Sequence, residues 1–322
     1  MEENDFSAGT SSKSTKLIHG GVRYLEQAFS WDQNERWEKL QLVSESLHER
    51  SYMIQNAQYM NRAFPIIIPS KSLFQTLYFY AGTLLYHLIY YALDDDRNLA
   101  LMPFPYIIGR QELHSIYPKL DPEMNYGIVY YDGQMNDSRM NMDILLTSTL
   151  NNYLLNEKMV PANIINYTKF TDFIKDDKGK IIGGVIHDKL NNKTFTVKAK
   201  AVVNCTGIFA DSIRKLDNPN VGTRIVPAQG SHLVLDQKLV HKKYGLLIPK
   251  TSDGRVLFVL PWLNYALVGT TDHQKDKPEL DPTVPFDDMI FMVKEVSRLF
   301  PGVDVTDISS GIKSKWAGTI SV

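Results

Sequence analysis

Between Arg36 and Met60 apolar residues recur at spacings near three and four. Leu40, Val43, Leu47 and Met53-Ile54 fall on one face and predict an amphipathic helix. Phe64 to Ile68, bounded by Pro65 and Pro69, reads as a short strand. Leu73 to Leu93 carries no charged residue and matches the ~20 residues of a spanning helix. Polar Gln75, Thr76, Thr83 and His87 interrupt it, and five tyrosines are spread along its length rather than gathered at two ends. A helix packed on a sheet, or lying on a membrane surface, fits that pattern better than one crossing a bilayer. Gly109 to Leu113 predicts a turn into a short helix ended by Pro118, and Tyr126–Tyr131 a strand. Asp137 stands where the N-cap belongs for a helix up to Tyr153.

From Val160 to Val197 the period changes to that of strands. Val160–Ile165, Phe170–Ile174, Ile181–Ile186 and Phe195–Val197 alternate with Asp-Lys-Gly and Asn-Asn-Lys turns, predicting an antiparallel meander. Ala199–Asn204 then reads as a buried strand running through Cys205-Thr206-Gly207 into a helix up to Arg214, the form used by nucleotide-binding sheets. Further strands are expected at Ser231–Asp236, Leu246–Ile248, Arg255–Leu260 and Tyr265–Val268, and a helix at Asp287–Phe300. Helices inserted between strand-rich blocks suggest discontinuous domains.

Composition narrows the function. The 322 residues, 43% apolar with a net charge of -1, describe a chain with a real core. The 35 basic residues against 36 acidic leave no excess to neutralise phosphates, so no nucleic-acid partner is expected. One cysteine, Cys205, excludes an intrachain disulfide and a thiolate zinc site, and eight scattered histidines form no H-x-x-x-H pair. No metal is expected. The acidic start Met1-Glu2-Glu3-Asn4-Asp5 carries no visible sorting signal. A G-x-S-x-G elbow and a phosphate loop are lacking, and no two glycines stand as G-x-G, so the dinucleotide fingerprint is missing.

The run Gly9-Thr10-Ser11-Ser12-Lys13-Ser14-Thr15-Lys16-Leu17-Ile18-His19-Gly20-Gly21-Val22-Arg23-Tyr24 is open to two interpretations. It is a flexible Ser/Thr-rich start, or a polyanion site made of hydroxyls, small residues and cations. It resembles the flavin-contacting segment of FAD-dependent glycerol-3-phosphate dehydrogenases, TSS-x-S-T-K-L-I-H-G-G-x-R-Y-L. The resemblance continues at Gly133–Asn141 (G-Q-x-N-D-x-R-M-N) and at Val202–Gly207, where Cys205 replaces the alanine of V-V-N-A-T-G. Gly230-Ser231-His232, Ser252–Val256, Pro261-Trp262 and Gly269–Asp272 extend it, collinear over nearly the whole chain. Ser310-Gly311-Ile312-Lys313 is similar to S-G-[IV]-R-P-L, with Lys313 in place of the arginine and Ser314 in place of the proline. The family's G-x-G-x-x-G unit and later glycine-rich segment have no counterpart, which predicts weak FAD binding by this chain.

That resemblance implies α/β plus antiparallel β architecture of the D-amino-acid-oxidase-like kind. An FAD/NAD(P)-binding type flavin domain (1–60, 134–222, 308–322) would join an antiparallel-sheet substrate domain (61–133, 223–307). It implies oxidation of sn-glycerol 3-phosphate to dihydroxyacetone phosphate, a quinone acceptor and peripheral contact with the mitochondrial inner membrane. Thr10, Ser11, Ser12, Ser14, Thr15, Lys16, Leu17, Ile18, His19 and Gly207 would contact the flavin. His232 would be the base, with Arg23, Tyr24 and Lys313 at the substrate phosphate. Asp137 and Arg139 read rather as a helix cap and its partner than as site residues. The alternatives are an oxygen-using flavin oxidase of the same fold and a non-catalytic fragment.

Overall fold

A computed structural model of the chain describes residues 1–21, 33–93, 102–150 and 160–321. Its organising element is a ten-stranded sheet. The sheet contains β1 (Leu17–Ile18), β2 (Arg62–Ser70), β3 (Tyr106–Gly109) and β4 (Tyr126–Gln134) from the first half of the chain. A separate three-stranded sheet follows, of β5 (Thr168–Lys175), β6 (Ile181–Asp188) and β7 (Lys193–Lys198). The second half adds β8 (Pro227–Asp236), β9 (Gly245–Ile248), β10 (Leu257–Trp262), β11 (Tyr265–Gly269), β12 (His273–Gln274) and β13 (Ser314–Ser321) to the large sheet.

In the large sheet β1 and β3 share one edge of β4, and β2, β9, β10, β11 and β8 follow in that order; β12 and β13 pair with β8. All pairings are antiparallel except β2 with β9, whose register is confined to Ile66 and Ile67. Pro65 and Pro69 flank that contact, and neither has an N–H to give a longer ladder.

Alternation along each strand divides two cores. Ile67, Val129, Leu246, Val259, Val268, Leu233 and Leu235 face one side, against Met292, Val293, Val296 and Leu299 of a helix at Phe286–Leu299. Ile66, Ile68, Ile128, Tyr130, Leu247, Leu260 and Leu267 face the other, against Phe79 and Tyr80 of the helix at Leu73–Leu93. The seven helices are α1 (Gln33–Asn56), α2 (Leu73–Leu93), α3 (Arg110–Ile116), α4 (Asp137–Thr149), α5 (Ala210–Asp217), α6 (Phe286–Leu299) and α7 (Val305–Ser310) among the described residues. Val43, Leu47 and Ile54 of α1 pack on Tyr86 and Tyr90 of α2. α2 lies on the sheet, its buried Thr83 hydroxyl returned to the carbonyls of Phe79 and Tyr80. Among the described residues no helix is long and apolar enough to cross a membrane.

Three expectations are corrected. The expected strand Ala199–Asn204 does not form: beyond one bond from the Ala199 N–H to the Ile182 carbonyl these residues join no ladder, and Val203 is 80% exposed. An apolar segment becomes a parallel strand only when neighbours take its N–H and C=O groups. Val160–Ile165 is likewise irregular. The N-cap of α4 is Asn136, whose side chain accepts from the Arg139 N–H, and Asp137 is turned into the protein. α4 ends at Thr149; its expected extension to Tyr153 falls outside the described residues, as do Arg23 and Tyr24. β13, by contrast, forms where the pattern predicted no element, because the free edge of β8 offers it eight rungs from Pro227 to Val234.

Leu267, wholly buried on β11, and Phe74, 84% exposed on α2, give opposite expectations. Leu267→Ala should cost about 2–5 kcal/mol in urea denaturation. Phe74→Ala should stay within roughly 0.5 kcal/mol of the parent.

Candidate functional site

The described part of the first run, Thr10–Gly21, and the Gly133–Asn141 run, far apart in sequence, meet at the end of β4. β1 pairs Leu17 with Gln134 and Ile18 with Gly133, and Met135 N–H donates to the Lys16 carbonyl. Asp137, on the first turn of α4, accepts from Ser14 N–H at 3.1 Å and from Ser14 Oγ at 2.7 Å. Lys16 Nζ reaches its two carboxylate oxygens at 2.7 and 2.8 Å and also donates to Ser12 O at 2.6 Å. Lys16 and Asp137 are both buried, so the pair is a two-sided clamp: removing either charge would strand the other. The run is therefore shaped by the protein, not flexible.

Three of its other hydroxyls are also bonded within the protein. Thr10 Oγ1 donates to Thr319 O on β13, Ser12 Oγ to Gly9 O, and Thr15 Oγ1 lies 2.9 Å from His232 Nε2. Ser11 and His19 are exposed, whereas Leu17 and Ile18 are buried as β1. Gly207 lies at φ +54°, with open space where a Cβ would be. β13 runs past both the Thr10–Ser12 turn and the Gly207–Phe209 turn and so brings the two segments to one region.

His232 sits opposite Gly269 on one side and Trp316 on the other. A Cβ at position 269 would run into the imidazole. The Trp316 ring stacks on it at 5.3 Å and 13°, with Lys16 Nζ 5.2 Å from the Trp316 centroid. Burial, then the nearby Lys16 charge, pushes His232 down to about 3, so it is neutral at pH 7. His232 Nδ1 and Trp316 Nε1 are buried and have no hydrogen-bond partner among the described residues. On the other face of β8, Ser231 Oγ and Thr271 Oγ1 donate to Asp288 Oδ2 at 2.5 and 2.7 Å, and His273 Nε2 lies 2.7 Å from Oδ1. Burial would raise Asp288, but the bonds from Ser231, Thr271 and His273 outweigh it and hold the carboxyl below its usual range. These groups fix β8 from behind.

Lys313 is not brought to this cluster. Its side chain is exposed at the approach to β13, where its N–H bonds the Val234 carbonyl. Sequence reasoning missed Trp316, Asp288 and the buried Arg50 and Asp132. One signal was available: Val43, Leu47, Arg50 and Ile54 follow one helical stripe, which places an arginine on an apolar face.

A family model for FAD dependent oxidoreductases matches residues 1–322. The chain belongs to that family. Relatives include a probable mitochondrial glycerol-3-phosphate dehydrogenase of Dictyostelium discoideum, 38% identical over 99% of this chain and 48% of its own length. The mitochondrial glycerol-3-phosphate dehydrogenase of Homo sapiens is 35% identical over 99% of this chain and 42% of its own. The chain thus spans about half the length of the curated relatives it matches. Among solved structures, the FAD complex of the Bacillus halodurans glycerol-3-phosphate dehydrogenase superposes with a TM-score of 0.69 at 25% identity, over 100% of this chain and 51% of that one. An FAD-bound L-alpha-glycerophosphate oxidase from Mycoplasma pneumoniae, 15% identical, shares the fold at a TM-score of 0.65, over 100% of this chain and 76% of its own.

FAD is the cofactor of this family, and the residues present fit it in a divided way. Asp137, Ser14, Lys16 and Thr10 shape the run, whereas exposed Ser11 and His19 and the open face of Gly207 remain to meet a ligand. The nitrogens of His232 and Trp316 that have no partner among the described residues lie beside the same run.

Unfolded His232 titrates near 6.5, and folded His232 at about 3. Between those values the unfolded chain binds the proton and the folded chain does not. Its contribution is therefore complete above pH 6.5 and falls as pH drops towards 3. Denaturation at pH 5 against pH 7 should show a loss of roughly 2 kcal/mol from this residue. That loss should be absent from His232→Gln.

Proposed function

We propose that the chain serves the oxidation of sn-glycerol 3-phosphate to dihydroxyacetone phosphate, with the electrons passed on to a quinone. The observation that supports this best is the meeting of the flavin-matching run, the Asp137 motif and His232 at one place, in a chain whose relatives bear that dehydrogenase's name over 99% of its length. The chemistry FAD supplies when bound is acceptance of the C2 hydride. His232 is the proposed acceptor of the C2 hydroxyl proton: it is neutral at pH 7 and its Nδ1 has no partner among the described residues. Arg23 and Tyr24 are the proposed phosphate ligands, since a guanidinium fork matches phosphate oxygens in pairs. Lys313, exposed as it is, is the weaker candidate.

The division into a cofactor part (1–60, 134–222, 308–322) and a substrate part (61–133, 223–307) belongs to the same proposal. β1 and β13 are the strands by which the first part joins the sheet of the second. Location at the mitochondrial inner membrane, as a peripheral protein, is proposed from the relatives' mitochondrial names and from α2. That helix exposes Phe74, Leu77, Tyr78, Leu88 and Tyr91 with no charge along its length.

Two experiments test these points. With FAD supplied, glycerol 3-phosphate should bleach the flavin absorption in a single turnover, and His232→Ala should slow that step by about 10²–10⁴-fold. Absence of bleaching in parent protein whose own absorption shows it to hold FAD sinks the dehydrogenase assignment; an unchanged rate in the variant removes His232 as base. In vesicle flotation the parent should rise with the lipid, and a Phe74→Ser, Leu77→Ser, Tyr78→Ser variant should stay in the dense layer. Equal flotation of the two removes α2 as the contact.

A further inference from the structure

The Asp137 clamp ends at Lys16, yet the chain beyond it is also held, from beneath, by groups no motif includes. Arg50 rises from α1, 2% exposed, with its guanidinium 5.3 Å from the Tyr86 ring centroid and 5.0 Å from that of Tyr90. Its Nη1 donates to Asp132 Oδ1 at 2.5 Å. The same oxygen accepts from the Tyr86 hydroxyl at 2.9 Å, and that hydroxyl accepts the Gly20 N–H at 2.6 Å. The bonds form one polarised series, from Gly20 through Tyr86 to a carboxylate whose charge the guanidinium holds. Gly20 has to be glycine here, because a Cβ would press on Leu47 and the Tyr86 hydroxyl.

One residue earlier the effect reaches a group that can meet a ligand. Gly21 N–H lies 3.0 Å from His19 Nδ1. A backbone N–H can only donate, so Nδ1 is an acceptor and the neutral ring carries its proton on Nε2. The ring is exposed on one side and crowded on another, with Phe258 stacked 6.1 Å away. That crowding desolvates His19 and lowers its basicity; Asp132 opposes the effect and Arg50 adds to it. Buried Asp132 is itself raised, burial outweighing the opposing influence of Arg50 and His19.

We propose that Arg50, Asp132 and Tyr86 are positioning residues for the His19–Gly20–Gly21 turn, holding it so that His19 presents Nε2–H as a hydrogen-bond donor to an oxygen of the bound ligand. The proposal rests on the reading of this region as the site of a glycerol 3-phosphate-oxidising flavoprotein, which supplies oxygens on both substrate and cofactor. The three residues act without touching either. The assignment makes His19 a donor and leaves the role of proton acceptor to His232.

The test needs neither substrate nor flavin, so its failure is separate from a failure of the flavin-bleaching experiment. Histidine-labelled protein, with His19 assigned by His19→Gln, reports the tautomer and titration midpoint of that ring by nitrogen NMR. Hydrogen exchange reports the Gly20 amide. In the parent chain His19 should be the Nε2–H tautomer at pH 7. Tyr86→Phe should speed Gly20 exchange by about tenfold, the worth of one hydrogen bond, and abolish the single-tautomer signature. Asp132→Asn, should it fold, should lower the His19 midpoint, because the carboxylate that favours protonation is gone. Val296→Ala, a cavity in the distant core beneath α6, should lose stability without moving any of these signals. A parent ring in the Nδ1–H tautomer would overturn the proposal. So would a Tyr86→Phe protein whose Gly20 and His19 signals match the parent's, or a Val296→Ala protein that changes them as Tyr86→Phe does.

Discussion

A buried carboxylate has to find its partners inside the protein, and the end of β4 carries two of them. Asp132 lies within the strand and Asp137 just past it, and both are almost inaccessible to solvent. Neither could stay ionised there without cations and donors. Asp137 takes Lys16 and Ser14; Asp132 takes Arg50 and Tyr86, and through Tyr86 the amide of Gly20. The N-terminal run is consequently held at two points by one strand end. Its shape follows from the electrostatic demand of those two aspartates more than from any preference of its own Ser/Thr-rich sequence.

The large sheet makes such a demand affordable. Both its faces are covered, by α6 on one side and α2 on the other, so the strand end lies in a dry interior where hydrogen bonds and ion pairs are strong. β8 has the most constrained place in it, with β11 and β12 on one edge and β13 along the other. His232 sits in that strand between a glycine that leaves it room and a tryptophan that covers it. Asp288 holds the neighbouring Ser231 from the opposite face.

Elements with a clean period were legible in the sequence: α1, α2, α6, the β5–β6–β7 meander and the strands β8 to β11. Motif resemblance found the family and singled out the run at Thr10–His19 and His232, which the fold places side by side. What escaped depends on distant partners. Residues 199–206 have strand composition but join no ladder, and β13 has an unremarkable composition but a free edge beside it. Asp137 looked like a cap because its position follows β4 directly; only the fold shows that Lys16 draws it inward while Asn136 caps α4. Arg50 and Asp132 each look anomalous alone, a charge on an apolar helix stripe and a charge in an apolar strand, and make sense only as a pair.

Timing is a further consequence of how β1 is held. Lys16 meets its carboxylate across a sequence separation of 121 residues, and Ser14 across 123. Closing so long a loop comes late in folding, since its entropy must be lost before the contact repays it. On a ribosome adding about 5–20 residues per second, the Thr10–His19 run would wait on the order of 6–25 s for β4 and Asp137 to be made. Throughout that interval its lysines and hydroxyls have no template, and a run made before its partners acquires its form after them.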